Sequence, residues 1–392
     1  MYSHPDQVRP KSSIVARLGE WSNSQMSWIA KIPGAFGLFR LIYRFVYPDD
    51  KASVDFAKTL EKSEPQKITK ILIVSPQSWD KVRIPWQAGL GNYFYDIWRS
   101  AVERYGADAV SLHQISQGDS NWQEKLLSSI NLEQPSHVLF QGEEDPNGYP
   151  NSWPDFAAQL AKVWHGELIF LMYDSVYWWH IFTAEKVARV FPNTSVHAID
   201  RLPTELHRSI RRSGPGVLPT SHETVKFLHS DSLFTHTPQL PADLTFVGSL
   251  YPDRKKQLGK FRNAGIDVAV NPHRVGRSDF PSYIEYASAI GHSWATINLS
   301  RNHGMPKKHV KTRVLEAPLF GTLLLSDEKN LSAQIIPEDG FVYFSSPRDL
   351  KRKIKFLRDN PQEYEAIKNR GIKYANSITN SIFWEKIEGL YV

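Results

Sequence analysis

The residues with the clearest chemical meaning lie between Leu244 and Asp327. An apolar run, LTFV, stops at Gly248-Ser249 and is followed at once by Arg254, Lys255 and Lys256. A strand that ends in a Gly-Ser turn and leads into a basic helix presents backbone N–H groups and cations to a phosphate. Further on, Ser300-Arg301-Asn302-His303-Gly304 follows a second apolar run, and its polarity suits contacts to a phosphate or a sugar. Lys307, Lys308, Lys311 and Arg313 then lead to Glu316, with Gly321 five residues later. A carboxylate so placed suits hydrogen bonds from a ribose diol. On a helix Lys311 and Arg313 point in different directions, so one of them reaches phosphate, and Arg313 is closer to the Glu316 motif. Residues 251–313 hold twelve Lys or Arg against four Asp or Glu, a larger excess than the +6 of the whole chain. The positive charge is therefore concentrated here, as a nucleoside-diphosphate sugar site requires.

A second group of candidates lies upstream. Gly89-Leu90-Gly91-Asn92 opens a helical stretch, where glycine lets backbone approach a ligand closely; a tight strand-to-helix turn would use the same residues. Glu143 and Glu144, with Asp145, follow the apolar run HVLFQ, and Asp174 follows ELIFLMY beside Tyr177, Trp178 and Trp179. Any one of these carboxylates, or Asp96, could act as general base or contact an acceptor hydroxyl, while the rings stack on a sugar. For each acid the alternative role is a helix cap or a solvated surface group. The chain has no Asp-x-Asp pair, no His-Glu-x-x-His, no Walker loop and no Gly-x-Ser-x-Gly elbow. Cations and helix N-termini can stabilise a departing diphosphate instead, so a metal-independent transfer with no cofactor is expected.

The motifs FVGSLYPDRKK, a Tyr283-containing helix, ATINLS, TRVLEAPLFGTLLLSDE and the closing basic helices occur in an order that resembles the donor-binding half of GT-B glycosyltransferases. The similarity is to the group-1 branch that includes spore-maturation-type (CgeB-like) proteins, and it covers about residues 240–375. It implies that Gly248, Ser249, Arg254 and Lys255 meet the diphosphate and that Glu316 binds ribose. It also implies that the loop with Gly89, Gly91 and Asn92 borders the acceptor and the donor phosphates. One departure stands out: many retaining members carry a second Glu eight positions before the first, where this chain has Lys308.

Positioning such residues takes alternating strands and helices. Expected strands of a first domain are residues 70–75, 109–113, 137–141, 167–173 and 196–199, and LTFVGS, IDVAVN, WATINLS, TLLLSD and FVYF follow in a second. Nearly continuous apolar strands separated by helices indicate parallel sheets covered on both faces. The fold class is thus α/β, two doubly wound Rossmann-like domains facing a cleft, with an N-terminal helical extension. The domains are expected at 1–66 (extension and linker), 67–240 (acceptor side), 241–375 (donor side) and 376–392, a C-terminal helix that the resemblance sends back to the first domain.

With 392 residues the chain has material for two cores, and its 48 aromatic residues exceed what a core alone usually needs, which suggests that some line a groove or an interface. No cysteine is present, which excludes disulfides and thiolate chemistry, and the polar start MYSHPDQVRPKSS lacks a signal-peptide pattern. A cytoplasmic protein is expected. The basic balance raises nucleic acid as a partner, but no nucleic-acid motif accompanies it and none is expected. Residues 8–48 hold six basic residues and one acid, and Trp28, Ile32, Phe36, Phe39, Tyr43 and Val46 recur at helical spacing beside Arg40 and Arg44. Two accounts stay open for this section: an anchor on the inner, anionic face of a membrane, or a helix packed on the neighbouring domain.

The expected function is sugar transfer from a nucleotide sugar to a hydroxyl of a glycan or glycolipid. A sugar-nucleotide epimerase of similar architecture and a non-catalytic sugar-nucleotide-binding protein are the alternatives.

Overall fold

The computed structural model describes residues 34–46, 48, 50–60, 67–76, 93–115, 119–141, 152–172, 178–198, 206, 210–213, 243–248, 250, 252–270, 283–301, 308–378 and 380–389. Two sheets, all their strands parallel, organise it. The first contains β1 (Ile71–Pro76), β2 (Val110–Ile115), β3 (His137–Gln141), β4 (Glu167–Met172), β5 (Thr194–Ala198) and β6 (Arg211–Ser213), in the order β2-β1-β3-β4-β5-β6. The second contains β7 (Leu244–Phe246), β8 (Ala269–Val270), β9 (Ala295–Asn298), β10 (Leu323–Ser326) and β11 (Val342–Tyr343), in the order β11-β10-β9-β7-β8. In both, the first strand lies between the second and the third, the topology of doubly wound nucleotide-binding sheets. The expected strands are present with bounds shifted by up to three residues, the most at Leu244–Phe246 and Ala269–Val270. Strand β6 was not expected, because its residues Arg211-Arg212-Ser213 carry no apolar pattern.

Helices α1 (Ala35–Val46) and α2 (Lys51–Ala57) precede the first sheet. Within it come α3 (Tyr93–Tyr105), α4 (Trp122–Glu133), α5 (Ser152–Leu160) and α6 (Trp178–Val190). The second sheet is served by α7 (Pro252–Asn263), α8 (Tyr283–Gly291), α9 (Arg313–Leu319), α10 (Pro347–Asp359) and α11 (Pro361–Ser377), and α12 (Asn380–Ile387) closes the chain. The period-2 alternation of the strands splits each sheet's core into two faces. Leu72, Val74, Phe140 and Phe170 pack with Trp122, Trp153 and Phe156 on one face, while Ile71, Ile73, Leu139 and Ile169 pack with Ile97 and Ala101 on the other. Phe383 and Trp384 of α12 complete that second face. Trp384 Nε1 donates to Ser100 Oγ at 2.9 Å, and Glu388 accepts from Arg104 at 2.6 Å and from the Tyr105 hydroxyl at 2.9 Å.

Helix α1 resolves part of the question about the N-terminal section. Phe36 and Phe39 meet Trp178 at ring separations of 5.4 and 5.6 Å, and Tyr43 meets Phe182 at 5.1 Å. Arg40 Nε donates to the buried carboxylate of Glu185 at 2.9 Å. These stripe residues therefore pack against α6, and Arg40 is paired rather than solvated. The opposite face carries Leu38, Leu41, Ile42 and Phe45, all exposed, the last by 87%. Trp28 and Ile32 lie outside the described residues. Among the described residues, no helix is long and apolar enough to cross a membrane.

Candidate functional site

Doubly wound sheets bind ligands at the carboxyl ends of the strands where the winding reverses. In the second sheet that point lies between β7 and β9, whose chains continue through Val247-Gly248 and Leu299-Ser300. Gly248 has φ of 151°, which side-chain-bearing residues rarely adopt. A Cβ there would lie 3.1 Å from a guanidinium nitrogen of Arg313 and 3.7 Å from one of Arg254. The backbone conformation thus favours glycine, and a Cβ would crowd Arg313 while only touching Arg254.

Arg254 stands in the first turn of α7, where Pro252 pre-sets the helical start, and Arg313 opens α9. Both residues are 7% exposed. Their guanidinium carbons lie over one ring, that of Phe246, at 5.7 and 5.3 Å from its centroid. Arg313 donates to the Val247 carbonyl, and Arg254 to the Arg301 carbonyl at 3.4 Å. Both guanidiniums thus pack against carbonyls and one ring, and the Arg313 charge also acts on the Glu316 carboxyl of its own helix. Two like charges in a desolvated place repel, and an anion set against both would relieve that repulsion.

Glu316 follows Arg313 by one turn on α9 and is 2% exposed. Its Oε2 accepts from the Tyr286 hydroxyl at 2.6 Å and from the Thr312 hydroxyl at 3.2 Å. Burial pushes the carboxyl above the ordinary carboxylate range, with the Tyr286 hydroxyl, the Arg313 charge and the Thr312 hydroxyl each acting in the opposite direction. Gly321, with φ of 82°, reverses the chain after α9 so that β10 can begin two residues later.

The structure separates the other candidates. Lys255 occupies the exposed side of α7, because successive residues on a helix turn by about 100° and Arg254 takes the inner direction. Ser300 is buried, and its backbone N–H and hydroxyl both donate to Asp327 Oδ1, at 2.8 and 2.7 Å, so its side chain is engaged within the sheet. Arg301 is exposed and forms an antiparallel bridge with Lys308. Lys308 turns to the Asp327 carbonyl and lies 3.1 Å from Glu328. Lys311 contacts His309. Gly89, Gly91, Asn92, Glu143, Glu144, Asp174, Ser249 and His303 lie outside the described residues, as does the side chain of Asp96.

Three participants were not singled out from the sequence: Phe246 as platform, Tyr286 as partner of Glu316, and Asp327 as anchor of Ser300. Phe246 sits two residues before Gly248, which placed it only as a strand residue. Tyr286 shares a helix with the noted Tyr283, and the inward direction of that helix was the missing information.

Residues 232–380 match the model of a family described as glycosyl transferase-like. No curated protein matches the sequence. Among solved structures, the chain is similar to Anabaena Alr3699/HepE in complex with UDP and glucose, at 11% identity and a TM-score of 0.51 over 82% of this chain and 99% of that one. The same protein in complex with UDP-glucose gives 10%, 0.50, 82% and 99%. Sucrose-phosphate synthase from Thermosynechococcus elongatus is similar at 10% identity and a TM-score of 0.50, over 82% of this chain and 98% of that one. These likenesses show the fold, which is of the GT-B type, and the matched segment carries the group-1 resemblance.

Proposed function

We propose that this protein is a glycosyltransferase that moves a sugar from a nucleoside-diphosphate donor to a hydroxyl of a glycan or glycolipid. The observation that carries the proposal is the convergence of the Arg254 and Arg313 guanidiniums on Gly248, at the reversal point of the second sheet. In such a transfer the acceptor oxygen bonds to the anomeric carbon while the bond from that carbon to the diphosphate breaks. Negative charge then accumulates on the departing diphosphate, and two desolvated guanidiniums stabilise that charge more than they stabilise the intact donor. The α7 N-terminus adds backbone N–H groups on the same side. Glu316 accepts the ribose hydroxyls. The acceptor's proton passes to a carboxylate on the first sheet's side, with Glu143, Glu144, Asp174 and Asp96 as the candidates.

With two cations supplied by side chains, the transfer proceeds without a bound metal. Donor binding is proposed for the segment that matches the glycosyl transferase-like family, and complexes of a fold relative with UDP and UDP-glucose support that choice of ligand. The exposed α1 face of Leu38, Leu41, Ile42 and Phe45, in a section with six basic residues and one acid, is proposed to rest on a membrane that carries the acceptor.

A thermal-shift panel of UDP-, GDP-, dTDP-, ADP- and CMP-sugars tests the donor, since a ligand that binds only the native state raises the melting temperature. Turnover of the stabilising donor with glycan and glycolipid acceptors then tests the transfer. It should continue in EDTA. Stabilisation by none of the five donors would overturn the proposal.

A further inference from the structure

The Glu316 carboxylate is held from one side only. Its Oε2 takes both hydroxyls, those of Tyr286 at 2.6 Å and Thr312 at 3.2 Å, while Oε1 receives no hydrogen bond among the described residues. The ring of Tyr286 is in turn fixed. It is 4% exposed within the cluster that also contains Val247, Val314, Leu315 and Phe320, and it meets the Phe320 ring edge-on at 6.3 Å. Phe320 is the residue at which α9 ends, so the clamp ties α8 to the same helix that carries Arg313 and Glu316.

We propose that Tyr286 is a positioning residue: its hydroxyl occupies Glu316 Oε2 and so presents Oε1, as an ionised acceptor, to the diol of the bound nucleotide. The proposal rests on the reading of Glu316 as the ribose ligand. Its physical content is that a buried carboxylate ionises reluctantly, and a hydrogen bond donated to it favours the ionised form. The titratable groups that act on Glu316 are Tyr286, from α8, and Arg313, on its own helix, and both oppose the effect of burial. The remainder of that cluster is apolar. Losing the Tyr286 hydroxyl therefore makes Glu316 harder to ionise, and nucleotide affinity should then need a higher pH.

The test is calorimetric titration with the tightest binder among UDP, GDP, dTDP, ADP and CDP, from about pH 6 to about pH 9, on the full chain and on Tyr286→Phe and Glu316→Gln. The phenylalanine keeps the ring and its packing. With Tyr286→Phe, affinity should fall about tenfold at the acid end, the loss of one hydrogen bond to a charged group, and recover most of that loss at the alkaline end. Glu316→Gln should be weakened at every pH, with the pH dependence flattened. If Glu316→Gln behaves in this way but Tyr286→Phe loses the same factor at all pH values, or loses nothing, the positioning role is wrong and the ribose assignment stands. If Glu316→Gln binds like the full chain, or none of the five nucleotides binds, the ribose assignment fails and the role of Tyr286 fails with it.

Discussion

The two sheets place their buried arginines differently. Around the first sheet, cations and acids find each other. Arg40 donates to the buried Glu185, and Glu167 Oε1 accepts from the Ser195 hydroxyl at 2.8 Å. Ser195 Oγ lies 2.9 Å from His197 Nε2, and the other Glu167 oxygen lies 3.5 Å from His137 Nε2. Residues His137 and Glu167 begin β3 and β4, at the edge opposite to the one where such sheets take ligands. At the other edge of the second sheet, Arg254 and Arg313 meet two carbonyls and one ring. The Arg40–Glu185 pair ties α1 to α6, whereas Arg254 and Arg313 converge on Gly248 at the strand ends, where an anion can meet both. On the proposed function, that anion is the donor diphosphate.

The contrast makes predictions, the largest for the second sheet. Arg313→Met should lower turnover about 10²–10³-fold, the usual consequence of removing one donor to the developing charge, while changing stability by less than about 1 kcal/mol. Steady-state kinetics beside denaturant unfolding would show it. Normal turnover in a destabilised variant would reverse the assignment and make Arg313 a structural residue. Arg40→Met should do the opposite, costing about 3 kcal/mol because it strips a partner from the buried Glu185, with nucleotide affinity unchanged by titration.

The next effect is on pH. Burial lowers the His197 pKa to about 3, whereas a histidine in an unfolded chain takes its proton near pH 6.5. Between those values the unfolded state binds more protons. Stability from this group is therefore fully present above about pH 6.5 and falls by up to about 1.4 kcal/mol per pH unit as pH drops towards 3. His197→Gln should flatten that part of the curve, and an equally steep loss in the variant would assign it to other groups. The smallest effect is expected at Lys255. Exposed on α7, it contributes only screened attraction, so Lys255→Ala should reduce turnover less than about tenfold and lose even that in high salt. A loss matching that of Arg313→Met would place Lys255 in the site and break the distinction.

Legibility followed the range of the interaction that decided each feature. Residues 167–172 show this for the sheets: ELIFLM is apolar almost throughout, every residue is buried, and its shortness between two helical stretches points to a strand of a parallel sheet. The short β6 was not legible, since a three-residue edge strand takes its pairing from β5 rather than from its own pattern. At the site, Gly248 could be read because its backbone requirement is local, and Glu316 because it stands in a recognisable run. The choice between Arg254 and Lys255 could not, since adjacent helical residues are chemically alike and differ only in the direction each side chain takes.

What the sequence by itself determined is the α/β alternation, the concentration of charge between Tyr251 and Arg313, and the turn glycines, all products of local propensity and composition. The tertiary structure alone decided which partners meet. It paired Arg40 with Glu185 across 145 residues, brought Arg254 and Arg313 to one ring, and set Tyr286 against Glu316 across 30. The reason is physical: the field and hydrogen bonding of a buried charge depend on neighbours within a few ångströms, and the packing of helices on the sheets, not their order in the chain, chooses those neighbours.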